Sequence, residues 1–183
     1  MTRPGPPGRR DVLKLAGLAA LGWARPASAT PATAEGEPRV LAFRHLHTEE
    51  TVDVTYRVGG RLDPDALRQI DWVLRDFRTG DARPVDPRLL DLLWDLRAAL
   101  DTTEPYEVIS GYRSPATNNM LRRAGRGVAR GSLHTKAMAI DVRVPGQPLA
   151  KLRAAALALR QGGVGYYPAS GFVHVDVGRV RFW

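Results

Sequence analysis

Apolar and polar positions change period several times along the chain, and each change marks an element. From Val40, VLAFRHLHT and then, past the polar Glu49-Glu50, TVDVTYRV alternate every second residue, which predicts a β-hairpin. The period then lengthens. Leu67, Ile70, Leu74 and Phe77 recur at helical spacing within DALRQIDWVLRDFR, and Leu89, Leu93, Leu96 and Leu100 do so in the next segment, giving two helices with one apolar stripe each. Both open alike, on Asp63-Pro64 and Asp86-Pro87. The aspartate caps free N–H groups, and the proline has no N–H to leave unpaired in the first turn.

Further on, EVIS at 107–110 predicts a short strand, and Ser114-Pro115 opens a third helix that Gly125 can close. Arg113 therefore stands at a strand-to-helix junction. MAIDVRV is another strand, and a fourth helix runs from near Pro148 to the stop Gly162-Gly163. VGYY, GFVHVDVG and RVRFW are three short strands joined by turns. Strands and helices do not alternate as β-α-β units, so the expected fold is α+β, with helices packed on a small, mostly antiparallel sheet.

Composition fits a folded globule, and 183 residues are enough for one domain with a real core. The first residues are different. Arg9-Arg10, the apolar stretch LAGLAALGWA and Ala27-Ser28-Ala29 follow the order of a secretory signal, and the paired arginines favour the twin-arginine route. An uncleaved anchor is the other reading, but the apolar run is short for a hydrocarbon core of ~30 Å, so no stable membrane insertion is expected. The expected organisation is a signal peptide at 1–29, a Pro/Ala/Thr linker at 30–38 and a domain at 39–183, released into the periplasm.

Cleavage after Ala29 removes Arg3, Arg9, Arg10, Lys14, Arg25 and Asp11, which lowers the formal net charge from +8 to +4. The remaining charge is scattered. No basic run is interleaved with aromatics, so nucleic acid is not an expected partner, whereas an anionic cell wall suits a mildly cationic exported protein. The chain has no cysteine, so it has no disulfides, and any metal site must use His, Asp or Glu.

Candidate chemistry sits on two strands and one loop. In FVHVD and the valine after it, Val173, Val175 and Val177 face one side, and Phe172, His174 and Asp176 the other. In MAIDVRV, Ala139, Asp141 and Arg143 share the face opposite Met138, Ile140, Val142 and Val144. If the two strands are neighbours, Asp141 and His174 meet. His134, in the preceding loop SLHTKA, can turn back over them. Two imidazoles and a carboxylate with one position open form a catalytic zinc arrangement. Each residue also has a structural reading, as a hydrogen-bonded strand histidine or a turn-capping aspartate; three polar groups on faces where burial would penalise them favour a shared ion.

SGYRS, SLHTKAMAID, GGVGYYPASGFVHVD and the closing VRFW, with HLHTEE, RDFR and the Asp-Pro helix starts, resemble the murein endopeptidase K (YcbK-like) group. This is a branch of the zinc D-Ala-D-Ala metallopeptidases, a set sometimes joined with lysostaphin and the hedgehog signalling domain. The resemblance spans about Val40 to Trp183. It implies a hedgehog/D-Ala-D-Ala-peptidase-like fold and a periplasmic enzyme with one Zn2+ per chain, cutting peptidoglycan crosslinks between D-alanine and meso-diaminopimelate or between two diaminopimelates. His134, Asp141 and His174 take the zinc-ligand positions, and Arg113 that of an arginine holding substrate or stabilising an oxyanion. Other functions compatible with the sequence are a non-catalytic zinc-containing wall-binding module and a carboxypeptidase trimming stem peptides.

Two positions depart from the wider pattern. Gly171 stands where an acidic general base is usual, which leaves Asp176 either as its substitute or as a residue orienting the His174 imidazole. Ala137 replaces a frequent glycine and is free of strain only at negative φ. Tyr112, Tyr166 and Tyr167 are candidate substrate-cleft residues, with packing as the alternative. His45 and His47, on one face of the first strand, read as structural or substrate-facing more readily than as a second metal pair. Asn118 and Asn119 either brace the Arg113 junction or face water.

Overall fold

The computed structural model describes residues 36–125 and 129–183. The expected signal sequence at 1–29 and most of the expected linker at 30–38 lie outside them. The described chain is α+β. Its strands are β1 (Arg39–His45), β2 (Thr51–Val58), β3 (Arg61–Leu62), β4 (Tyr106–Ser110), β5 (Ala139–Arg143), β6 (Gly163–Tyr167), β7 (Phe172–Asp176) and β8 (Arg181–Phe182). The helices are α1 (Pro64–Val73), α2 (Pro87–Ala99), α3 (Pro115–Arg123) and α4 (Leu149–Leu159).

The sheet is larger than the sequence suggested. All eight strands join in the order β3-β2-β1-β4-β5-β7-β6-β8. It is mostly antiparallel, the parallel pairs being β1 with β4 and β6 with β8. Helices α1, α2 and α4 pack on its strands. Between them lies the core, with Leu41, Phe43, Tyr106, Val108, Ile140, Val142, Val173 and Val175 from the sheet and Ile70, Leu89, Leu93, Leu96 and Leu152 from the helices.

Caps form as the sequence predicts at Asp63, Asp86 and Ser114, each accepting backbone N–H groups of its helix. Two helices stop earlier than periodicity suggests. The α1 segment ends at Val73 because Asp76, almost fully buried, draws the chain around itself: its carboxylate accepts the Arg78 N–H at 3.1 Å and the Ser114 N–H at 2.8 Å. A short polar side chain competing for backbone donors is a common way to end a helix. The fourth helix ends at Leu159, with Arg160 taking the left-handed conformation. Gly162 is therefore not the stop; it is needed because a side chain there would collide with the Asp176 carbonyl.

The register sets up the site. β4 pairs with β5, β5 with β7 and β7 with β6, so Ser110, Asp141, His174 and Gly165 form one row across four strands. Residues directly opposite one another share a face of the sheet. The neighbouring row, Val142 and Val173, goes to the core.

Candidate metal centre and its cleft

His134 sits in a 3-10 turn, Leu133–Lys136, just before β5. Ala137 ends that turn in the left-handed region, φ 52° and ψ 37°, and so occupies a conformation in which glycine is free and alanine strained. The turn drops the His134 side chain onto the Asp141–His174 row. His134 Nε2 lies 3.2 Å from Asp141 Oδ1 and 3.1 Å from His174 Nδ1, and His174 Nδ1 lies 2.8 Å from Asp141 Oδ1. Three donor atoms thus form a small triangle, and all three side chains are buried.

The outer nitrogen of each ring fixes its tautomer. His134 Nδ1 is 2.7 Å from the Gly111 carbonyl oxygen, which can only accept, so that nitrogen donates. His174 Nε2 is 3.0 Å from Asp176 Oδ2 and donates in the same way. In the neutral rings the lone pairs of His134 Nε2 and His174 Nδ1 then point at one another and at a carboxylate oxygen. Three converging acceptors need a cation. Zinc with ligands at about 2.0–2.1 Å in a tetrahedron spaces its donors about 3.3 Å apart, close to the edges of this triangle. The donor set therefore fits the group that the resemblance implies, and among the described residues no other cluster of His, Asp or Glu converges this way.

Electrostatics treat the three groups differently. Burial would raise the Asp141 carboxyl, but His134, His174 and the Arg113 guanidinium outweigh it and hold the group well below the usual carboxylate range. Burial lowers His134, keeping it neutral despite Asp141. It would lower His174 too, yet hydrogen bonds to Asp141 and Asp176 leave that ring raised. Arg113 bonds Asp141 Oδ2 and donates from Nε to Ser110 Oγ at 2.8 Å, so the carboxylate offers Oδ1 to the triangle and Oδ2 to the guanidinium.

The surroundings of Asp176 bear on its two expected roles. It is fully buried; Oδ1 accepts the N–H groups of Gly163 at 3.1 Å and Gly178 at 2.8 Å, and Arg181 binds both oxygens. These bonds, against the cost of burying it, keep its carboxyl far below the normal range. Asp176 thus sits behind His174 with no oxygen turned to solvent.

An open cleft of about 230 Å³ exposes the triangle. Its walls include Arg113, Ser132, Tyr167, Phe172, Arg181 and Trp183. Of the three tyrosines singled out from the sequence, only Tyr167 lines it. Tyr166 is next to Tyr167 in β6 and so faces the other side, where Arg153 of α4 lies 5.1 Å from its ring. Tyr112 lines a separate depression with Val85, Lys136 and Met138. Sequence reasoning passed over Trp183, Arg181 and the Gly111 carbonyl.

His45 and His47 lie together, with ring centroids 5.8 Å apart, and His47 stacks on Phe77 at 4.3 Å. His45 is fully buried, its Nδ1 accepting the His47 N–H at 3.2 Å, and among the described residues the pair is not part of a metal-binding group of His, Asp or Glu. Asn118 is buried and reaches the Ala129 carbonyl at 3.4 Å, whereas Asn119 is exposed.

An α+β domain whose sheet and preceding 3-10 turn bring two imidazoles and a carboxylate together at the floor of a cleft has a donor set that could hold a metal ion. The comparisons give this domain a family. A family model described as Peptidoglycan L,D-endopeptidase MepK matches residues 33–183, and the chain belongs to this family. It is 41% identical over 175 residues to the peptidoglycan L,D-endopeptidase MepK of Escherichia coli K12, covering 96% of each chain. The MepK of Shigella flexneri matches with the same identity and coverage.

Proposed function

We propose that this chain is an exported zinc metallopeptidase that hydrolyses peptide crosslinks of peptidoglycan, acting as an endopeptidase on L,D bonds. The observation that carries the reading is the triangle of His134 Nε2, Asp141 Oδ1 and His174 Nδ1, whose outer hydrogen bonds leave it three acceptors and no proton to share in the neutral state. Membership of a family described by that activity supplies the substrate class. The fold implied is that of the D-Ala-D-Ala peptidases and the hedgehog domain.

In this reading His134, Asp141 and His174 hold the ion. When bound, zinc polarises a carbonyl and lowers the pKa of water to about 7. The remaining roles belong to the chain itself. Asp176 and the Gly111 carbonyl fix the two imidazoles, which keeps their lone pairs aimed inward and raises their basicity as ligands. Arg113 holds the outer oxygen of Asp141, and its remaining N–H groups are available to a substrate carboxylate or carbonyl. Trp183 and Phe172 give the cleft an apolar wall.

Export follows from the signal-like residues 1–29, and the family match begins at residue 33, just past the expected cleavage point. Among the described residues no helix is long and apolar enough to cross a membrane. The test is digestion of purified sacculi and of crosslinked muropeptide dimers by zinc-loaded protein. Dimers are expected to yield monomers, with activity lost on chelation and regained on adding zinc. Intact dimers under all conditions would exclude the endopeptidase, and release of a single terminal residue from linear stem peptides would indicate a carboxypeptidase instead.

A further inference from the structure

Tyr167 ends β6 on the cleft wall, and its hydroxyl has an unusual partner. The Trp183 indole Nε1 lies 2.6 Å from the Tyr167 oxygen. An indole N–H only donates, so the phenol oxygen must accept, and its own hydrogen has to point elsewhere. Among the described residues that hydrogen meets no protein acceptor. Accepting one bond also polarises the O–H and makes it a stronger donor.

Both rings are held in place. Tyr167 stacks on its cross-strand neighbour Phe172, with centroids 4.7 Å apart. Trp183 is pinned by its backbone, donating to the Val164 carbonyl at 3.2 Å and accepting the Tyr166 N–H at 3.0 Å. Its ring sits 5.3 Å from the His174 ring and 5.0 Å from the Arg181 guanidinium. This close approach requires Gly165, where a Cβ would come within 2.8 Å of the indole. The glycine, the indole and the phenol therefore form a single assembly on the His174 face of the sheet. Of the cleft's two arginines, Arg181 binds Asp176 through both its terminal nitrogens, and Arg113 holds Asp141 while keeping its remaining N–H groups for substrate. The Tyr167 proton is uncommitted.

We infer that Tyr167 is a catalytic hydrogen-bond donor to the carbonyl oxygen of the scissile amide, and that Trp183 is the positioning residue that aims it. The inference rests on the hydrolase reading above. As water adds to the carbonyl carbon, the oxygen gains negative charge, and a donor fixed in advance stabilises that charge more than it stabilises the uncharged carbonyl. The phenol keeps its proton throughout. Substrate binding itself needs little from the group, so its effect belongs in kcat rather than in KM.

The experiment compares zinc-loaded full-length protein with Tyr167→Phe, Trp183→Phe and the double variant. Three quantities are read for each: cleavage of a purified muropeptide dimer, zinc bound per chain, and affinity for a phosphinate analogue of the crosslink. Tyr167→Phe is expected to lower kcat about 100-fold with KM within about threefold, to keep one zinc, and to weaken phosphinate binding by a similar factor. Trp183→Phe is expected to lower kcat about tenfold, and the double variant to be no slower than Tyr167→Phe alone. Parental kcat in Tyr167→Phe, or an effect confined to KM, overturns the catalytic role. Additive losses in the double variant overturn the alignment by Trp183. An inert parent protein would overturn the hydrolase reading and this inference with it, whereas an active parent with an unimpaired Tyr167→Phe overturns this inference alone.

Discussion

Asp176 shows how much a single carboxylate can fix. It accepts from His174 Nε2, two backbone N–H groups and Arg181, and by doing so it dictates which nitrogen of His174 faces the triangle. Asp176→Asn keeps the shape but lets the amide present a donor to the ring, so the preferred tautomer is no longer enforced. A 10- to 100-fold loss of zinc affinity is expected, measured by competition with a chelator of known affinity; unchanged affinity would leave Asp176 as a fold residue only. The role was half legible. Alternation along FVHVD puts Asp176 on the His174 face, but only the Gly163 and Gly178 amides and Arg181, all non-local or turn contacts, show that its oxygens are spent. Alternation alone should have separated Tyr166 from Tyr167: neighbours in a strand cannot face the same cleft.

At the scale of elements, the site depends on junctions. Gly111, between β4 and α3, presents its carbonyl to His134 while its neighbour Tyr112 donates to the Leu74 carbonyl at 2.8 Å. A Cβ on Gly111 would run into that same Leu74 carbonyl, so the junction lies against the end of α1 with no room to spare. Gly111→Ala is expected to destabilise the fold by about 2 kcal/mol through overpacking. It should also weaken zinc binding, since moving the junction displaces both the His134 partner and Arg113. Urea denaturation and zinc titration of the same variant check this, and parental values in both would refute the account of the junction. The sequence announced these elements well, because Asp-Pro caps and strand alternation are local signals. Strand order is not local. Nothing in the residues themselves says that β7 inserts between β5 and β6, or that β8 adds in parallel and brings Trp183 to the cleft.

For the whole molecule, stability and site are linked to protons and to metal separately. His45 is remote in sequence from the triangle, and burial depresses its pKa from 6.5 to about 4. The unfolded chain takes up a proton between those values that the folded chain refuses. The contribution of His45 is therefore present above pH 6.5 and is lost as pH falls towards 4, by on the order of 3 kcal/mol. Urea midpoints measured across that range should show the slope, and His45→Asn should reduce it. Zinc bound at the triangle is expected to add its own increment, because an ion that binds only the folded state stabilises it in proportion to the logarithm of its concentration over Kd. The central claim is the triangle itself. Anomalous diffraction at the zinc edge from zinc-loaded crystals tests it most directly: one ion is expected per chain, bound by His134 Nε2, Asp141 Oδ1 and His174 Nδ1 with its fourth position open to the cleft. Zinc found at His45 and His47, or no zinc between the three residues at saturating concentration, would contradict it.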